Sequence, residues 1–193
     1  MNNSALSNMS IKDRMKQLSR WAVLCLVLAL GIMTVLSFYV SMQMGKSLEI
    51  RNDLTLINDA KVKILEVSLT SMDIIVDKTD GEVSPERQKE LQESFSFFDQ
   101  QAAPLVQKLL AHDQAKFNNF QEKLTHLKTK TQVDLKAAVE SHAGPEVFAD
   151  LDDQIDGMGQ SLKADLDELA KSLETHLSSS LEASRLNSYV SIA

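Results

Sequence analysis

The chain has 193 residues, 44% of them hydrophobic but only 5% aromatic, and carries a formal net charge of −7. That acidity argues against nucleic acid or an anionic membrane surface as partner, and a single cysteine, Cys25, excludes a disulfide framework. Few glycines and prolines, with abundant Leu, Lys, Glu, Asp, Gln and Ala, make the composition that of long helices.

In chain order, the first feature is a basic N-terminus over residues 1–20. It holds Lys12, Arg14, Lys16 and Arg20 against Asp13. An uncharged apolar run follows from Trp21 to Val40. A helix of that length crosses a hydrocarbon core of about 30 Å. The basic flank predicts a cytoplasmic N-terminus and places the rest of the chain on the other side. The run is too long for the core of a signal peptide, and Ser37-Phe38-Tyr39-Val40-Ser41-Met42 lacks the spaced small residues of a cleavage site. A lipid-anchor signal is excluded because Val23-Leu24 precede Cys25. The reading is an uncleaved transmembrane helix over 21–40.

Residues 41–189 read as one helical domain beyond the membrane. From residue 41 onward the chain carries sixteen basic residues against twenty-six acidic ones. Thr79-Asp80-Gly81-Glu82-Val83 predicts a turn, and Ser84-Pro85-Glu86 a capped helix start. Ala143-Gly144-Pro145-Glu146 predicts a second break, with glycine closing one helix and proline opening the next. A weaker break falls at Ala111-His112-Asp113, where Asp113 supplies the cap. Four helical segments result. The first runs from about Ser41 to Lys78. The second, Pro85 to Leu110, aligns Leu91, Phe95, Phe98, Ala102, Leu105 and Leu109 at helical period, and Pro104 should bend it. The third, Gln114 to His142, aligns Phe117, Phe120, Leu124, Leu127 and Leu135. The fourth, from Pro145, aligns Leu151, Ile155, Met158, Leu162, Leu166, Leu169, Leu173 and Leu177 in steps of four and three.

One stripe per helix predicts an all-α fold: a membrane-anchored, antiparallel up-down four-helix bundle with long first and fourth helices. The first outer helix carries a wider stripe. Ile50, Leu54, Ile57, Ile64 and Ile75 form the seam, flanked by Val62, Leu69 and Val76 on one side and Leu65 and Met72 on the other. Either this helix is well buried, or it offers a second surface to the same helix of another subunit. The second reading takes Ile50, Leu54, Ile57, Ile64, Leu65 and Met72 as a dimer interface. Residues 190–193, after Tyr189, read as the start of a second membrane span.

The opening Met9-Ser10-Ile11-Lys12-Asp13-Arg14-Met15 resembles that of a bacterial methyl-accepting chemotaxis receptor. So do the span running on into a long helix, the segment Leu54-Thr55-Leu56-Ile57-Asn58-Asp59-Ala60-Lys61 and the four-helix plan. The resemblance implies a homodimeric periplasmic sensory domain anchored in the inner membrane. It would bind a small molecule or a periplasmic binding protein, and ligand would displace the fourth helix relative to the first. The sequence given departs from that family in holding no complete second span, no relay domain and no methylated coiled coil. It also lacks the family's ligand-binding arginines, since the first outer helix offers only Arg51.

Lys61 and Ser68 fall on the apolar seam, where polar groups cost stability unless partnered. Gly157 and Gly159 on the fourth helix fall at a similar height. The four outline a candidate ligand pocket; the plainer reading is a snorkelling lysine, a serine bonded to its own backbone and glycines that admit close packing. The acids Asp150, Asp152, Asp153 and Asp156 lack calcium-loop spacing and suit a solvated helix start. The histidines, His112 and His176 included, show no ligand spacing, so no metal or cofactor is expected. No nucleophile motif, phosphate loop or zinc spacing is present, so no enzyme is expected. The expected function is ligand sensing for chemotaxis. The alternatives are a single-span adaptor docking another membrane protein, or the sensor region of a kinase or cyclase.

Overall fold

The computed structural model describes the backbone of residues 11–190; of residues 11, 13, 14, 43 and 180–190 nothing is described beyond it. Every regular element among the described residues is helical. In order these are α1 (Ile11–Val76), a 3₁₀ turn (Lys78–Asp80), α2 (Pro85–Phe97), a π-turn (Phe98–Ala102), α3 (Ala103–Leu109), α4 (Gln114–Thr129), a second π-turn (Lys130–Asp134), α5 (Leu135–Glu140) and α6 (Pro145–Val190). They make four helical rods: α1, α2 with α3, α4 with α5, and α6. The predicted second span at 190–193 lies outside the described residues, apart from Val190 at the end of α6. Residues 1–10, which include the start of the basic N-terminus, also lie outside them.

The chain divides into two compact units, residues 1–48 and 49–193. In the first unit, α1 carries one stretch long and apolar enough to cross a membrane, with a mean hydropathy of 2.6 in its best window and no burial. Trp21, Val27, Ile32, Val35 and Phe38 are all exposed there. The exposed surface of this stretch is apolar on every side of the helix. The hydroxyl of Thr34 donates to the carbonyls of Leu30 and Gly31, so this polar group is satisfied within the helix.

The second unit buries one contiguous core supplied by all four rods. Its most deeply buried side chains include Ile57, Ile64 and Val67 from α1, Phe95, Phe98 and Val106 from the second rod, Phe120, Leu127 and Leu135 from the third, and Ile155, Leu162 and Leu166 from α6. The contacts between rods run in opposing order. Between α1 and the second rod, Arg87 meets Asp73 at 2.8 Å, the Thr70 hydroxyl donates to Glu90 at 3.2 Å, and Lys108 meets Asp53 at 3.1 Å. As the α1 number falls, the partner's rises. Between α1 and α6, Lys78 lies over the Phe148 ring at 5.1 Å, Ser68 and Ile64 face Gly159, and Lys61 meets Asp167 at 2.8 Å. Between the third rod and α6, Lys116 pairs with Glu168 and Lys123 with Asp165, each at 2.7 Å.

The helix starts follow their sequence signals. Ser84 caps α2 by accepting from the Arg87 N–H, with Pro85 in the first turn, and Asp113 caps α4 by accepting from the Lys116 N–H. The end of α5 differs from the prediction. Gly144 is not the left-handed residue there; His142 is, at φ 52°. The His142 N–H reaches the Val139 carbonyl and the Ala143 N–H the Ala138 carbonyl, which is the Schellman pattern with histidine in the position glycine usually takes. Gly81, at φ 75°, closes the turn after α1, and a Cβ there would stand 3.0 Å from His142 Nε2. The two left-handed residues thus meet at one end of the unit.

The bend expected at Pro104 takes the form of the first π-turn. Proline offers no N–H for the carbonyl four residues back, and the ladder widens just before it, with the Ala103 N–H bonded to the Phe98 carbonyl. The inserted residue shifts the buried face, so that Val106 joins Leu105 in the core and Leu109 is only partly buried.

Candidate functional site

The four residues expected to outline a ligand pocket do not do so together. Ser68 and Gly159 meet: a Cβ on Gly159 would lie 3.2 Å from Ser68 Oγ and 3.3 Å from Ile64 Cγ2. That is close helix packing, the plainer of the two readings. Ser68 makes no hydrogen bond among the described residues, contrary to the expected backbone bond. Lys61 lies two turns away along α1 and is held by Asp167 at 2.8 Å. It snorkels toward a solvent-exposed carboxylate and faces no shared cavity with Gly159. Gly157 is exposed, with nothing within 4 Å of where its Cβ would stand, because two residues along a helix turn it about 200° away from Gly159.

The predicted dimer stripe divides by burial. Ile57 and Ile64 are each 1% exposed and belong to the chain's own core, while Ile50 and Leu54 pack partly against it. Ile57 and Ile64 are therefore removed from the candidate interface, because a side chain enclosed by its own domain has no surface to offer a partner; Ile50 and Leu54 retain part of theirs. Leu65 and Met72 remain exposed, together with Val62, Leu69 and Val76. The exposed set is spaced three, four, three, four.

A cleft absent from the sequence reading opens between the second and third rods, with a volume near 490 Å³. Val83, Leu91 and Phe95 form its buried floor. Its walls are polar: Gln88, Gln92, Ser96, Asp99 and Gln100 from the second rod, and Lys128, Thr131, Gln132 and Lys136 from the third. Both π-turns contribute, Asp99 and Gln100 from the first and Thr131 and Gln132 from the second. Such turns are rare and gather at functional sites.

No proline or glycine forces the second π-turn. Two causes act on it. The buried Thr131 hydroxyl donates to the Leu127 carbonyl at 2.9 Å and competes with the ladder. The eight-residue step from Leu127 to Leu135 overshoots two α-turns by about 80°, and an inserted residue restores both leucines to one face. That step was the signal in the sequence for the irregularity. Four glutamines bordering the apolar stripes (Gln88, Gln92, Gln100, Gln132) were the signal for the cleft.

Most polar groups of the cleft are engaged. Lys128 pairs with Asp99 at 3.1 Å and lies 5.8 Å from the Phe95 ring centre. Gln88 donates to the Val83 carbonyl and Gln100 to the Ser96 hydroxyl, each at 2.8 Å. Gln92 and Gln132 make no side-chain hydrogen bond among the described residues. Lys136 is held only by Glu140 one turn on, at 3.8 Å.

A second hollow, near 330 Å³, is apolar inside, with Val106, Leu110, Phe120 and Leu169, and is rimmed by Lys116 and Glu168. The hydrogen bond that Lys116 donates to the Glu168 carboxylate raises the lysine's pKa above its ordinary value. Elsewhere Lys108 is raised, first by its hydrogen bond to Glu49 and then by that to Asp53, and Arg87 is raised first by Glu90. No cluster of histidine, cysteine and carboxylates suited to a metal ion occurs among the described residues.

Compared with models of known protein families, with curated proteins and with solved structures, the chain matches none.

Proposed function

We propose that this chain is the ligand-sensing, extracytoplasmic region of a bacterial transmembrane chemoreceptor, built as an antiparallel four-helix bundle on a membrane anchor and working as a homodimer. The observation that carries the reading is α1 itself. One helix from Ile11 to Val76 holds both an apolar stretch of membrane-crossing length and the seam that packs on α6. The opposing order of the contacts between α1, the second rod and α6 supports the antiparallel arrangement. The contacts from α1 to α6 combine a glycine notch at Gly159 with the exposed pair of Lys61 and Asp167.

The homodimer reading rests on the exposed flank of α1. Val62, Leu65, Leu69, Met72 and Val76 follow the heptad spacing of a coiled coil, with valine or leucine at the first position and leucine or methionine at the fourth. β-Branched residues at the first and leucine at the fourth favour two strands. Reporter fusions test the anchor. Fusions after Arg20 and at Asp80 should report opposite sides of the membrane, with Arg20 inside. An inside signal at Asp80 overturns the orientation. A chain that adopts this topology yet stays monomeric in the membrane and responds to no small molecule would favour the adaptor instead.

A further inference from the structure

We propose that the cleft between the second and third rods is a binding site for an elongated small organic anion with a carboxylate at one end and hydrogen-bonding groups along its length. The inference deepens the sensor reading and rests on it, since it names the ligand class and its place.

Three observations converge on the cleft. First, two π-turns from different rods open on one hollow. Second, its polar groups divide into a fixed set and an available set. Gln88, Ser96, Gln100, Lys128 and Thr131 are engaged with protein partners. Gln92 and Gln132, one from each wall, have none among the described residues. Each amide offers a donor and an acceptor, so a ligand between them meets hydrogen-bonding capacity of both kinds from both sides. Third, the charges are unequally committed. Asp99 neutralises Lys128 at one end of the cleft. At the other end Lys136 pairs, among the described residues, only with Glu140 at 3.8 Å, so it is the cation that an incoming anion engages. Lys128 and Lys136 are eight residues apart, about 12 Å along a helix. An anion seated on Lys136 therefore extends past Gln132 and Gln92 toward the neutral pair, and an elongated molecule fills the space better than a compact one.

The test is thermal unfolding of the full chain in detergent at constant ionic strength. The probes are 4-hydroxybutyrate, 5-hydroxypentanoate and glutaramate, each with one terminal carboxylate, against the uncharged amide of the same skeleton. At about ten times its dissociation constant, a binding acid should raise the unfolding midpoint by about 3 °C, and its amide should not. Lys136→Gln should weaken binding at least tenfold while leaving the unliganded midpoint nearly unchanged. Gln132→Leu, which leaves the charges intact, should weaken it as well. Lys171→Gln, at an exposed lysine of α6, should bind like the parent. The proposal is overturned if none of the acids exceeds its amide, or if the acids stabilise the Lys136→Gln variant as much as the parent. Topology and dimer measurements do not depend on this cleft, so failure here with the expected topology removes the site and leaves the sensor reading standing.

Discussion

Two glycines on one helix carry opposite consequences. Gly157 has open space where a side chain would stand, so Gly157→Ala should gain the helix propensity of alanine, about 0.5–1 kcal/mol. Gly159→Ala must push back Ser68 Oγ and Ile64 Cγ2 from 3.2 and 3.3 Å, and should show no such gain. Midpoints from thermal denaturation separate the two, and equal gains would mean that α6 does not pack on α1 at Gly159. Gly81→Ala should destabilise by about 1–2 kcal/mol, because φ 75° is strained for a residue with a Cβ and the His142 ring stands 3.0 Å from where that atom would be. The raised lysines set a pH expectation. Lys108 and Lys116 are raised by acidic partners, so their contribution is complete below the ordinary lysine pKa and is lost as pH rises through the raised values. Midpoints followed into the alkaline range should fall less steeply in Lys108→Gln than in the parent. At this scale the sequence was least legible. Lys61 and Gly159 stood out as oddities on a seam, but only the helix register shows that they sit two turns apart. A left-handed His142 had no local signal beside the more obvious Gly144.

The elements were far more legible, because helix starts depend on local chemistry. Ser84 and Asp113 cap the helices their positions announced, and the apolar stripes marked the buried faces. The irregular turns were harder to read, since a π-turn answers to the packing of a whole rod. Pro104 announced a disturbance without its form, and the step from Leu127 to Leu135 was legible only as an anomaly of spacing. That account predicts the effect of a deletion. Removing the exposed Val133 shortens the step between the two leucines from eight positions to seven, close to two full α-turns. The third rod should then become continuous α-helix with both leucines still buried. Stability should stay within about 1 kcal/mol of the parent, an estimate that assumes an intact core and no new cavity. Circular dichroism and thermal denaturation check this. A large loss would mean that the irregular turn is required by the core instead of being set by leucine spacing. The same deletion displaces Gln132 and Lys136 relative to the second rod, so anion binding in the cleft should be lost while the fold remains.

For the whole molecule, the width of the α1 stripe was legible but its division was not, because a stripe on one helix does not say which of its columns the domain covers. The domain covers Ile57 and Ile64 and leaves Val62, Leu65, Leu69, Met72 and Val76 exposed. Five large apolar residues in heptad register form an exposed face that suits a partner, and in the proposed membrane-anchored homodimer a second copy would arrive already confined. Leu69 lies at the centre of the seam and is 62% exposed. Leu69→Asp should therefore abolish the dimer by placing a charge in each of two facing apolar positions, while the monomer's helix content and unfolding midpoint stay close to the parent's. Sedimentation in detergent reads the first effect and circular dichroism the second. In a Cys25→Ser background, single cysteines at Leu65 and Met72 should cross-link in membranes, whereas one at Ile64, facing the core, should not. If Ile64 cross-links as readily as Leu65, or if Leu69→Asp sediments as a dimer, two copies do not meet along this seam.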